Sequence, residues 1–223
     1  QAYTLTYDYD GGSGSVTEAK VVFGEDYTLD VPEAAANSNL VFTGWYSEPN
    51  GRGTRFTNEK GESIAPWTVD RNATVYARWE AVLEFTLEED DTYSVVKGSG
   101  ISYVTEVTVP AEYNGKKVTI IDAYAFLNCS GLVRVNLPDT VEIVYTENAF
   151  QGCSNLKEVN VYEVEGNQVK LYESDGGVLL YHNEVAEGHP FEVVFVHVAK
   201  TGAYRPFRAK CSPLRLLPKG RFP

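Results

Sequence analysis

The side chains able to carry chemistry are few and scattered. The three histidines, His182, His189 and His197, form no i, i+4 pair. No His-Glu-x-x-His or Cys-x-x-Cys spacing occurs to hold a metal. There is no Gly-x-Ser-x-Gly elbow and no phosphate-cradling glycine loop. His197 stands among Val194, Val196 and Val198, which reads as a strand residue rather than a ligand. The 31 Asp and Glu residues are not paired by any motif, so only folding could assemble a glycosidase-like carboxylate pair. The expectation is a chain with no catalytic, cofactor-binding or metal-binding residues.

Two acidic stretches raise the question of calcium. Counting an EF-hand loop from Asp8 puts Gly12 at position 5 and Ala19 at position 12, where oxygen ligands are required. Asp8-Tyr9-Asp10-Gly11-Gly12 is therefore read as a turn. Glu88-Glu89-Asp90-Asp91 is read as a solvated turn between two strands. Trp45, Tyr46, Trp67 and Trp79 leave two readings open, a sugar-stacking platform or core. Cys129 and Cys153 also leave two, buried thiols or a disulfide, while Cys211 has no evident partner.

The elements that position these residues come from one duplicated stretch, residues 125–161. Ala125, Phe126, Cys129, Ser130, Leu132, Val135 and Asn136 recur as Ala149, Phe150, Cys153, Ser154, Leu156, Val159 and Asn160, and Leu137 is answered by Val161. A unit of this length cannot bury its apolar face alone, so neighbours must stack and share a core. Val135 and Leu137 alternate with Arg134 and Asn136, as a half-buried strand requires, and Pro138 ends it. Ala125 and Phe126 are expected on the opposite, more helical side of the coil. Val107-Thr108-Val109-Pro110 foreshadows Val135-Asn136-Leu137-Pro138 as an incomplete first unit, with residues 111–117 as a loop insertion. Residues 81–87 and 92–96 predict a hairpin around the acidic turn, covering the apolar end of the stack.

Upstream, Tyr3, Leu5, Tyr7 and Tyr9 share one face of a strand that ends at Gly11-Gly12. Short strands are expected at 21–23, 27–29, 40–45 and 74–79, with a brief helical turn within 32–39. Downstream, strands are expected at 168–171, 177–181 and 191–198.

The motifs Ile121-Asp-Ala-Tyr-Ala-Phe-Leu-Asn-Cys-Ser-Gly-Leu132 and Glu147-Asn-Ala-Phe-Gln-Gly-Cys-Ser-Asn-Leu-Lys-Glu-Val159 resemble the BspA-type leucine-rich repeat of bacterial surface proteins. Both carry its Ala-Phe-x-x-Cys-x-x-Leu run, with one extra residue relative to the usual period falling between Pro138 and Glu147. Tyr3-Thr-Leu-Thr-Tyr-Asp-Tyr-Asp-Gly-Gly12, Phe42-Thr-Gly-Trp-Tyr-Ser-Glu-Pro-Asn-Gly-Arg-Gly-Thr-Arg-Phe56 and Thr74-Val-Tyr-Ala-Arg-Trp79 resemble the Listeria–Bacteroides repeat of internalin-like proteins. The resemblances imply a mainly β chain, a β-grasp-like module followed by a short leucine-rich-repeat solenoid. The expected domains are 1–80, the first repeat module; 81–204, the leucine-rich repeats with a capping hairpin; and 205–223, a basic, Pro-rich tail.

The function implied is non-catalytic: adhesion or protein–protein interaction by a bacterial surface or secreted protein. A carbohydrate-binding module and a structural stalk are the alternatives. The expected partner is a host or matrix protein, or a cell-surface glycan. Outward positions Arg134, Asn136, Glu158 and Asn160 are the candidate binding residues. A net charge of -12 argues against nucleic acid or an anionic membrane as partner of the body. No apolar run approaches 18 residues, so no membrane insertion is expected. The chain begins at Gln1 and contains no Met, which predicts that a natural N-terminus and any signal peptide have been removed. From Lys200 onward there are seven Lys or Arg and no acid, against 12 basic and 31 acidic residues before it. Three readings of that tail stand: a binder of anionic polymer, a disordered end, or sequence not native to the protein.

Overall fold

The computed structural model describes residues 1–35, 38–144, 149–167, 172–175, 178–182 and 191–195, the last three groups as backbone strands. The predicted strand at 168–171, residues 176 and 177, the side chains of the three histidines, Cys211 and the basic tail lie outside the described residues. The chain is mainly β.

Strands β1 (Ala2–Asp8), β2 (Glu18–Val22), β3 (Leu40–Glu48), β4 (Arg52–Arg55) and β5 (Ala73–Ala81) form one sheet in the order β2-β1-β5-β3-β4. β1 and β5 run parallel, and the other pairs are antiparallel. The period-2 pattern read in β1 sends Tyr3, Leu5 and Tyr7 into the core with Val21, Leu29, Phe42, Trp45, Phe56, Trp67, Val75 and Ala77. Trp45 and Trp67 are buried, so they are core and present no sugar platform. Each indole N–H donates to a backbone oxygen, Trp45 to Asp30 at 2.8 Å and Trp67 to Val69 at 2.6 Å. At Gly44 the β3–β5 register slips, and the residue adopts φ +145°. A Cβ there would sit 2.4 Å from the Thr57 carbonyl, which explains the Gly-Trp pair in the sequence. Asp8 to Gly12 is a turn, closed by Gly12 N–H to Tyr9 O at 2.9 Å. In the stretch 32–39, Glu33 bridges to Ser13 and Ser38 N–H donates to Ala35 O, with residues 36 and 37 undescribed.

The second half is built from coils, each giving one strand to each of two parallel sheets. β7 (Tyr93–Lys97), β10 (Lys116–Ile121) and β12 (Ile143–Val144) line up in one sheet. β8 (Glu106–Thr108), β11 (Arg134–Pro138) and β13 (Glu158–Tyr162) line up in the other. The duplicated residues sit on top of one another, Val135 opposite Val159 and Asn136 opposite Asn160. Val107 lies opposite Val135, as the incomplete first unit predicts.

Two expectations are corrected in detail. The side opposite β11 is a turn-rich connector plus a second parallel sheet rather than a helical face. Its Ala-Phe turns stack through backbone bonds, Phe126 N–H to Ala149 O and Asn128 N–H to Gln151 O, both 2.7 Å. The insertion at 111–117 is a two-residue hairpin between β9 (Glu112–Tyr113) and β10. Asn114 (φ 50°) and Gly115 (φ 76°) make its turn, a signal legible as Asn-Gly. The hairpin of β6 (Leu83–Leu87) with β7 stands at the N-terminal end of the stack, with Leu83 and Val95 buried in the core of the coils. β7 joins the parallel sheet and β6 becomes its antiparallel edge.

One core runs through the coils, with Phe126, Ile121, Leu132, Leu137, Val109 and Val135 fully buried. The rings of Phe126 and Phe150 stack at 5.5 Å and 9°. Beyond the coils, β14 (Tyr172–Asp175), β15 (Val178–His182) and β16 (Phe191–Phe195) form an antiparallel sheet.

Candidate interaction face

The outward side of the β8–β11–β13 sheet is where the four sequence candidates fall. Strand alternation forces this: Val135, Leu137 and Val159 point inward, so Arg134, Asn136, Glu158 and Asn160 point outward. Parallel register then places like positions side by side, Arg134 between Glu106 and Glu158, and Asn136 between Thr108 and Asn160.

The side chains bond along these columns. Arg134 Nε donates to Glu158 Oε2 at 2.6 Å, and Nη1 donates to Glu106 Oε2 at 3.0 Å. Asn136 Nδ2 donates to Glu106 Oε1 at 2.9 Å and to Thr108 Oγ1 at 3.0 Å. Asn160 Nδ2 donates to Asn136 Oδ1 at 3.3 Å. All four candidates are thus brought together. Two further members, Glu106 and Thr108, were not picked out from the sequence, although the Val107–Pro110 echo already fixed their register.

Electrostatics follow from this pairing. The hydrogen bond to Glu158, then that to Glu106, pushes the Arg134 guanidinium above its usual range. The Asn136 amide, then the Arg134 guanidinium, holds the Glu106 carboxyl below the usual carboxylate range. The side chains of Arg134, Glu106 and Glu158 are 40%, 48% and 41% exposed, so the network is a surface one and is screened by salt. It is a pre-ordered polar surface centred on β11, the one strand of this sheet whose backbone is paired on both sides.

Tyr162 braces the far end of the same sheet. Pro138 has no N–H, so in this parallel ladder the Val109 carbonyl receives no backbone donor from β11. The Tyr162 hydroxyl reaches across and donates to Val109 O at 2.8 Å. Burial pushes the Tyr162 hydroxyl pKa up, which keeps it protonated as a donor.

Elsewhere, an open cleft of about 400 Å³ in the first sheet is lined by Tyr9, Ser13, Ser15, Asp30 and Glu33 among others. Among the described residues there is no group of three His, Cys, Asp or Glu placed to hold a metal. Among them, too, no helix is long and apolar enough to cross a membrane.

Comparison with known proteins is consistent with both halves. Residues 3–78 match the Listeria-Bacteroides repeat domain. Residues 100–171 match the BspA type leucine rich repeat region (6 copies). No curated protein matches the chain. Among solved structures, the Treponema pallidum protein described as "T. pallidum Leucine Rich Repeat protein (TpLRR)" is 29% identical, over 35% of this chain and 36% of that one, with TM-score 0.32. A leucine rich cell surface protein from Faecalibacterium prausnitzii is 32% identical, over 36% of this chain and 22% of that one, also with TM-score 0.32. The chain therefore spans well under half the length of either. The chain thus carries a match to the Listeria-Bacteroides repeat domain over residues 3–78, followed by a match to the BspA type leucine rich repeat region over residues 100–171.

Proposed function

We propose that this is a non-catalytic bacterial surface or secreted protein that binds a protein partner through the outward face of its repeats. The observation that carries the reading is the ordered polar column Glu106–Arg134–Glu158 beside Thr108–Asn136–Asn160. A stack of coils offers an extended surface and needs no pocket. The match to the BspA-type repeat supports a surface setting. The domain reading stays as 1–80, 81–204 and 205–223. The first sheet, with β1 and β5 parallel at its centre, is read as β-grasp-like, and the two parallel sheets as a short solenoid with β6–β7 at its N-terminal end. Adhesion to a host or matrix protein, or to a cell-surface glycan, is the specific activity proposed.

A second reading, a stalk, is favoured by the junction. Asn39 Oδ1 accepts Leu83 N–H at 2.9 Å, and Asn39 O accepts Val82 N–H at 2.9 Å. A Cβ on Gly100 would meet Val41 at 2.7 Å and Glu80 O at 2.8 Å, so the two halves abut closely. The test is binding of the full chain to immobilised matrix proteins and glycans at low and high salt. Saturable binding that survives high salt supports the interaction reading. Silence across the panel favours the stalk. Binding abolished by salt points to the basic segment from Lys200 acting as a polycation.

A further inference from the structure

The duplicated motif carries its two cysteines to one point. Stacked backbone flanks them on both sides, Asn128 N–H to Gln151 O at 2.7 Å before and Lys157 N–H to Val133 O at 2.8 Å after. The two turns are alike: Cys129 N–H bonds Phe126 O at 3.1 Å, and Cys153 N–H bonds Phe150 O at 3.2 Å. The Cys153 thiol also donates to Phe126 O at 3.0 Å, the carbonyl that Cys129 N–H already holds. The two cysteines lie in turns rather than strands, but those turns are hydrogen-bonded to each other as neighbouring strands are, and a strand spacing of roughly 4.8 Å falls within the roughly 4.4–6.8 Å that disulfide Cα atoms span. Both thiols are free in the structure, Cys129 buried and Cys153 half-buried.

We propose that Cys129 and Cys153 are a dithiol–disulfide pair, and that a low-molecular-weight disulfide oxidises them to a covalent staple between adjacent repeats. Cys129, the thiol that gives up its proton more readily, attacks one sulfur of the oxidant, expelling a thiolate and leaving a mixed disulfide. Cys153 then loses its proton and attacks the Cys129 sulfur, breaking the mixed disulfide and releasing the second thiolate. Two electrons and both sulfur leaving groups go to the oxidant, which ends as two thiols. Lys97 favours the chemistry. Its Nζ donates to Leu127 O beside Cys129, and its charge stabilises either thiolate. The hydrogen bond between the two thiols holds the Cys129 thiol down and the Cys153 thiol up, so one proton leaves the pair readily and the second is retained. Closing this loop removes freedom from the unfolded chain, so oxidation stabilises the repeats.

The test uses the full chain with Cys211→Ser, so that only the repeat thiols remain of the three cysteines. It is incubated with oxidised glutathione or with a phosphine reductant, then read by intact mass, alkylation and peptide mapping. The expected result is loss of both thiols, a peptide joining 129 to 153, and a Tm raised on the order of 10 °C over the reduced form. Reduction should restore both thiols. C153S, whose Tm in reductant shows whether it folds, should instead accumulate a stable glutathione adduct at Cys129. Two thiols remaining after oxidation, glutathione adducts in place of the cross-link, or a cross-link that does not raise Tm would each overturn the proposal.

Discussion

Tyr162 shows how a single side chain repairs what a proline breaks. Tyr162→Phe removes the hydroxyl and leaves the buried Val109 carbonyl without that donor. The expected cost is about 1–2 kcal/mol, read as a lower urea midpoint at unchanged slope. Gly44 is less forgiving, because both its φ of +145° and the Thr57 carbonyl exclude a side chain. Gly44→Ala should cost at least about 2 kcal/mol by thermal denaturation. Glu106 sets a pH dependence of definite sign. Its pKa is lower folded than unfolded, so its contribution is present above the unfolded value of about 4.3 and fades as pH falls through the folded one. Glu106→Gln should therefore flatten the acid limb of the stability curve below about pH 4.3, and an unchanged limb would remove the network's role. At this scale the sequence spoke clearly where a residue had a twin. Arg134, Asn136, Glu158 and Asn160 were found by register. Glu106 and Thr108 were overlooked because their strand has a different spacing to its neighbour and carries no Phe-Cys motif.

Among the elements, the Ala-Phe turns hold the coils together. Phe126 is fully buried against Phe150, and replacing it with Ala should cost about 3–5 kcal/mol. All three tryptophans, Trp45, Trp67 and Trp79, lie in the first sheet and its loops, whereas Phe126 belongs to the separate apolar cluster of the repeats. Phe126→Ala should therefore advance the circular-dichroism transition while leaving the tryptophan-emission transition in place. Equal shifts of both would mean that the two cores melt as one. Strand existence was legible from the sequence in β1, β3, β5, β6, β7, β11 and β13, whereas the expected strand at 27–29 is only an isolated bridge, Thr28 to Glu62, and β4 was not expected. The second parallel sheet was not. Lys116–Ile121 carries apolar residues on both faces and follows a hairpin, so it lacks the period-2 signature. The Asn114-Gly115 signal was there to be read and was absorbed into a loop.

The whole molecule joins a mixed sheet to a stack of coils through a junction with almost no linker. That close fit gives an Asn39→Ala change a predictable effect. It removes the side-chain acceptor of Leu83 N–H, and should loosen the angle between the halves while leaving each core folded. Small-angle scattering would show this as a broadened distance distribution. The division into two families was legible because each half carries dense local motifs. The binding partner was not, because an extended polar face has no residue signature comparable to a nucleophile and its base. The decisive measurement is a binding isotherm for the full chain against its tightest partner in the matrix and glycan panel, with wild type beside Arg134→Ala/Asn136→Ala. A surface centred on the polar column predicts at least about tenfold weaker binding for the double variant, which stays folded with a Tm lowered only by the small cost of the lost surface pairs. Identical isotherms for the two proteins would contradict it.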